Sequence, residues 1–183
     1  AGERCMAISA VVAVESIADQ LVEKLKAAAG KLKIGAGNEK TADMGPLISR
    51  VHRDKVAGYV DQGVAQGAKL VLDGRNLKVP GHEDGFFIGA SLFDHVRTDM
   101  SIYKEEIFGP VLIVLRVKSL DEAIAMINAN PYANGTAVFT RSGGAARRFE
   151  REIEVGMVGI NVPIPVPIAY YSFGGWRNSL FGD

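Results

Sequence analysis

Residues 111 to 117 read Val-Leu-Ile-Val-Leu-Arg-Val. A strand with one wet face alternates apolar and polar residues. A near-continuous apolar, β-branched run instead marks a strand buried on both faces, as in a parallel sheet. Parallel neighbours need a long crossover, usually a helix. This stretch therefore predicts a chain in which helices and strands alternate.

The remaining segments fit that pattern. Strands are predicted at 8–14 (ISAVVAV), 69–72, 86–92 (FFIGASL), 135–140 (GTAVFT) and 157–161 (MVGIN). Ser16, with Asp19 three residues on, opens a predicted helix whose apolar stripe is Ile17, Leu21, Leu25 and Ala28, ending at Gly30. A second helix runs from Ser49 to about Gln66, turning Val56, Tyr59, Val60 and Val64 inward. Ser119 and Glu122 form a capping box for a third, with Ile124 and Ile127 inward and Asn130-Pro131 as its stop. Ser142 opens a fourth, which carries Ala145, Phe149 and Ile153 and stops at Gly156. Residues 33–46, 75–85 and 94–103 are read as irregular. Gly35-Ala36-Gly37 follows a helix, and Lys40 stands where a dinucleotide fingerprint needs its third glycine, so it is read as a turn. Residues 162–171 (VPIPVPIAYY) are too rich in proline for a helix or a central strand and are read as an apolar loop lining a cavity. No repeat or linker interrupts the chain. The prediction is one α/β domain, 1–183, with a largely parallel sheet flanked by helices.

Charge and composition exclude several classes of function. Lys plus Arg and Asp plus Glu each number 21, so the net charge is zero. Nucleic-acid and anionic-membrane binders need a basic surface. No apolar run reaches the roughly 18 residues of a membrane span, and no stretch reads as a signal peptide. The single cysteine, Cys5, cannot form an internal disulfide, which points to a reducing compartment. The first residue is Ala rather than Met, and the most reactive side chain lies at the very start, so a piece of a longer polypeptide is expected.

Cys5 sits in Gly2-Glu3-Arg4-Cys5-Met6-Ala7. Thiols react as thiolates, which a neighbouring cation or a helix N-terminus favours. By itself a lone cysteine is more readily read as a small buried hydrophobe. Glu105 and Glu106 alone read as a solvated pair, Phe108 as core and Arg4 as a surface cation. His52, His82 and His95 are scattered without ligand spacing, so no metal is predicted.

Three signatures stand in one order: GERCMA at 2–7, KEEIFGPVL at 104–112 and SFGGW at 172–176. This order resembles the C-terminal, catalytic half of the aldehyde dehydrogenase superfamily, over essentially the whole chain. Arg4 before Cys5, NANPYANGTAVFT at 128–140, GMVGINVPIPVP at 156–167 and SFGGWRNSLFGD at 172–183 are most similar to the CoA-acylating methylmalonate-semialdehyde (malonate-semialdehyde) branch. The resemblance implies a nucleophilic Cys5 that forms a thioester after hydride transfer to NAD, with coenzyme A as the co-substrate that takes the acyl group and CO2 as a further product. It implies that Arg4 and Phe173 contact the small semialdehyde substrate, and that Glu106 and Phe108 contact NAD. It also implies a homo-oligomer (dimer or tetramer), a role in valine catabolism, and a cytoplasmic setting with the mitochondrial matrix as the alternative. A Rossmann-type NAD-binding domain, the rest of the oxyanion hole and any general base would lie upstream, so the chain alone is expected to be inactive. The competing readings are a hydrolytic NAD(P)-dependent aldehyde dehydrogenase and a non-catalytic module that reuses the fold.

Overall fold

The computed structural model describes residues 2–163, 166–171 and 176–179. The chain forms two compact units, Ala1–Arg116 and Val117–Asp183. The described elements of the first are β1 (Ala10–Val14), α1 (Glu15–Ala29), α2 (Arg50–Ala65), β2 (Lys69–Leu72), β3 (Ser91–Asp94), the one-turn α3 (Ser101–Lys104) and all but the last residue of β4 (Val111–Val117). They build a four-stranded sheet in the order β1-β4-β3-β2. β3 and β4 run parallel, with Leu92 opposite Leu112 and Phe93 opposite Ile113. β2 is the antiparallel edge, with a register shift between Leu70 and Leu72. The apolar run 111–117 is thus an inner strand, as its composition predicts.

Successive residues of a strand face opposite sides, and this sorts the packing. Leu92 and Val114 meet Ala18 and Val22 of α1 in one core cluster, with Ala13 of β1. Phe93 turns the other way, towards α2. A β-carbon added at Gly63 of α2 would lie 2.8 Å from the Phe93 ring and 3.0 Å from Ile102, so glycine sets how closely the helix approaches. The sheet lies between two helices, which satisfies the α/β expectation.

Arg116 extends from the α1 face of β4. Its guanidinium meets Asp94 of β3 in a bidentate pair at 3.0 and 2.7 Å, and reaches Asp19 at 2.7 Å and Glu15 at 3.2 Å on α1. Asp94 is only 1% exposed. Burial raises its pKa, but the bonds from Arg116 and from the His95 N–H outweigh that and hold it below the ordinary carboxylate value.

Four expectations for this unit are corrected. α1 follows β1 directly, with Val14 rather than Ser16 at its cap position and no side-chain cap. Its inner stripe is Ala18, Leu21, Val22 and Leu25, while Ile17 is half exposed and Ala28 exposed. Both sets have helical spacing. The structure chooses the one that presents small Ala18 to the sheet. On α2, Gly63 is buried and Val64 is exposed for the same kind of reason. The predicted strand 86–92 pairs as a strand only from Ser91, because the Gly89 N–H is spent on the Gly74 carbonyl of a crossing loop at 2.8 Å.

The second unit contains α4 (Leu120–Asn128), β5 (Gly135–Val138), α5 (Gly143–Glu152) and β6 (Met157–Ile160). β5 and β6 are parallel, with Gly135 opposite Met157. Ile124, Ala133, Phe149, Ile153 and Val155 form the core. The hydroxyls of Ser119 and Ser142 accept the N–H groups of Glu122 and Ala145, as the capping signals predict. β5 stops at Val138 rather than Thr140. Beyond it the Asn161 amide pairs with the Thr140 N–H and carbonyl at 2.8 and 2.9 Å, replacing the ladder with a side chain. Residues 166–171 form neither strand nor helix. Val166, Ile168, Tyr170 and Tyr171 are exposed, so these side chains do not wall the expected cavity within this unit.

Candidate active site

Gly2 to Ala7 is a partly buried turn with Arg4 and Cys5 exposed, closed by the Ala7 N–H on the Arg4 carbonyl at 3.0 Å. Cys5 is a free, exposed thiol and Arg4 is exposed beside it. Solvent exposure sets aside the reading of Cys5 as a buried hydrophobe.

This turn is fastened to the loop before β4. Gly2 has φ +75° and lies so close to Gly109 that an added β-carbon would fall 2.6 Å from the Gly109 carbonyl carbon. Gly109 is itself pressed on Val56 of α2. His52, in the first turn of α2, touches both partners. Its Nε2 is 2.7 Å from the Phe108 carbonyl oxygen and 3.4 Å from Glu3 Oε1. The local sequence explains how His52 comes to be there. Ser49 caps α2 by accepting the His52 N–H at 3.2 Å, which fixes that residue three positions into the helix.

The same loop separates the two acids that look identical in sequence. Glu105 accepts the Tyr59 hydroxyl at 2.6 Å. That bond, with burial, pushes the Tyr59 pKa up to about 12. Glu105 is thereby committed to holding the loop on α2. Glu106 is exposed and makes no hydrogen bond or ion pair to another described residue, which leaves its carboxylate open to a polyhydroxyl ligand. Ile107, the next residue, is buried as an anchor. Phe108 has φ +59° and is 37% exposed. A ring held at the surface in a left-handed conformation is available to stack on a ligand, and such strain gathers at functional sites.

The structure thus brings the Cys5 turn and the Glu106–Phe108 loop into one unit, on one helix. Phe173 lies outside the described residues. Among the described residues no group of three or more His, Cys, Asp or Glu is placed to hold a metal ion. Sequence reasoning missed His52, whose signal is its place three residues after a capping serine.

The aldehyde dehydrogenase family model matches residues 1–183. The chain belongs to the aldehyde dehydrogenase family. It is 62% identical over 183 residues to a malonate-semialdehyde dehydrogenase of Pseudomonas aeruginosa, covering 100% of this chain and 37% of that relative. It is 51% identical to malonate-semialdehyde dehydrogenase 2 of Geobacillus kaustophilus, covering 100% of this chain and 38% of the relative. A methylmalonate-semialdehyde dehydrogenase structure from Oceanimonas doudoroffii superposes with a TM-score of 0.95 at 56% identity, covering 100% of this chain and 38% of that one. An aldehyde dehydrogenase of Mycobacterium tuberculosis complexed with NAD+ gives 0.89 at 33% identity, over 98% and 36%. The chain therefore spans under two-fifths of the length of these relatives, and the fold and family expected from the three signatures both hold.

Proposed function

We propose that this chain is the nucleophile-bearing domain of an NAD-dependent, CoA-acylating dehydrogenase of malonate or methylmalonate semialdehyde. The observation that carries the reading is the exposed Cys5 turn held against the Glu106–Phe108 loop, in a chain 62% identical to a malonate-semialdehyde dehydrogenase.

The roles follow from the chemistry of the side chains. The Cys5 thiolate attacks the aldehyde carbon, and the carbonyl oxygen becomes the thiohemiacetal oxyanion. The Cys5 backbone N–H supplies one donor to that oxyanion. Arg4 offers the planar fork that suits bidentate binding of the substrate carboxylate, and Phe173 lines the substrate site. Glu106, with its open carboxylate, would hold the nicotinamide ribose hydroxyls, and the Phe108 ring would pack by the nicotinamide. Bound there, NAD would supply the acceptor for the hydride of the thiohemiacetal carbon. Cys5 is then acylated, CO2 leaves the acyl group and the enolate left behind takes a proton from solvent, and the CoA thiol takes the acyl group and returns Cys5 as the thiol. The NAD-binding domain, the second oxyanion donor and any general base belong to the remaining length of such a polypeptide. A homo-oligomeric, cytoplasmic enzyme acting in valine catabolism completes the reading, in keeping with the bacterial sources of the relatives.

The test is NADH production by the full-length polypeptide with malonate or methylmalonate semialdehyde, with and without CoA. Turnover that requires CoA is the expected result. Turnover indifferent to CoA would discard the acylating step and favour the hydrolytic reading.

A further inference from the structure

We infer that His52 is a positioning residue that locks the thiol-bearing turn and the Phe108 loop into one register. The inference deepens the proposed function, since it rests on the roles given there to Cys5 and Phe108. Three contacts carry it. The Phe108 carbonyl has only lone pairs to offer, so the 2.7 Å contact requires hydrogen on Nε2 of His52. That same N–H lies 3.4 Å from the Glu3 carboxylate, two residues before Cys5. The backbone beneath His52 is fixed by the Ser49 cap.

Phe108 explains why such a lock is useful. Its φ of +59° is avoided by residues with a β-carbon and persists only where the surroundings impose it. The His52 N–H satisfies the carbonyl of this strained residue. The 3.4 Å approach of Glu3, and the Gly2–Gly109 contact beside it, bring the nucleophile's own backbone onto the same support. A histidine that merely stabilised α2 would need neither partner. One side chain on a rigid helix therefore controls the offset between the sulfur and the ring wall of the cofactor site, the coordinate on which an oriented reaction depends.

Three variants of the full-length enzyme test this: His52→Gln, His52→Asn and His52→Ala. Glutamine reaches far enough to donate to the Phe108 carbonyl, whereas asparagine is one methylene short. The readouts are kcat, KM for the semialdehyde, the melting temperature, and the rate constant for Cys5 alkylation by iodoacetamide without substrate. Asparagine and alanine should lower kcat about tenfold while KM moves less than threefold. In the same variants the alkylation rate should change about threefold or more. Glutamine should recover both to within about threefold of wild type. If alanine does not fold, the glutamine and asparagine pair still decides. Asparagine equal to wild type in kcat and alkylation would overturn the inference. So would glutamine as impaired as asparagine. A wild-type enzyme without NAD-dependent turnover would instead sink the proposed activity, and the alkylation comparison would still judge His52.

Discussion

Replacing Gly2 with alanine tests whether the Cys5 turn is placed by backbone contact. The added methyl would sit 2.6 Å from the Gly109 carbonyl carbon, where ordinary contact begins at 3.4 Å. The neighbour is backbone and is itself pressed on Val56, so it cannot swing aside as a long side chain would. The turn must yield by about 1 Å, and misplacement of that order costs up to about 100-fold in rate. Gly2 also has φ +75°, and forcing alanine there adds about 1 kcal/mol of strain. That strain falls on a half-buried turn outside the core clusters, so stability should change little. The assay is single-turnover NADH formation by the full-length enzyme, with melting temperature measured alongside. Gly37→Ala is the control, since it has an ordinary φ and nothing within 4 Å of the added carbon. The expected result is a rate loss of about 30- to 100-fold in Gly2→Ala with a nearly unchanged melting temperature. A rate within about threefold of wild type would show that Gly109 does not set the position of Cys5.

Two further outcomes are expected. Arg116→Ala would leave the buried Asp94 carboxylate without its main partner, a loss of about 3–5 kcal/mol at pH 7 by urea denaturation. Because Asp94 is held below its ordinary pKa in the folded protein, its contribution is present above about pH 4 and fades as pH falls through the lowered value. The gap between variant and wild type should therefore narrow towards acid, and a gap under 1 kcal/mol at pH 7 would refute the account. Arg4→Ala should raise KM for a carboxylated semialdehyde about 10- to 100-fold, the worth of a charge-assisted bidentate contact, and leave propionaldehyde nearly unchanged. Equal effects on the two aldehydes would remove the carboxylate clamp.

Much of the fold was legible because it depends on one-dimensional patterns. The run 111–117 identified an inner strand, and the hydroxyls of Ser49, Ser119 and Ser142 marked three helix starts that the structure confirms. The phase of α1 was not legible. Ile17 and Ala18 both satisfy the helical period, and only the sheet beneath α1 selects the smaller side chain. The limit of strand pairing at Ser91 was hidden for a similar reason, since it depends on the crossing of Gly74 and Gly89, fifteen residues apart. In the site, Cys5, Glu106 and Phe108 stood out through their motifs. What divides Glu105 from Glu106 is the Tyr59 hydroxyl on another element. His52 carried only its place three residues after a capping serine, because its significance lies in two partners, one near each end of the unit.

The place of β1 in the sheet has a consequence for biosynthesis. The Ile113 N–H of β4 donates to the Ser9 carbonyl at the head of β1, so β1 gains its partner only after about a hundred further residues have been made. At roughly 5–20 residues per second that delay is about 5–20 seconds. Through that interval the newly emerged β1 can pack α1 on itself but has an unpaired edge, open to strands of other nascent chains. Cys5, just ahead of it, spends the same seconds without the loop that will later flank it. The thiol is open to oxidants and electrophiles throughout that interval.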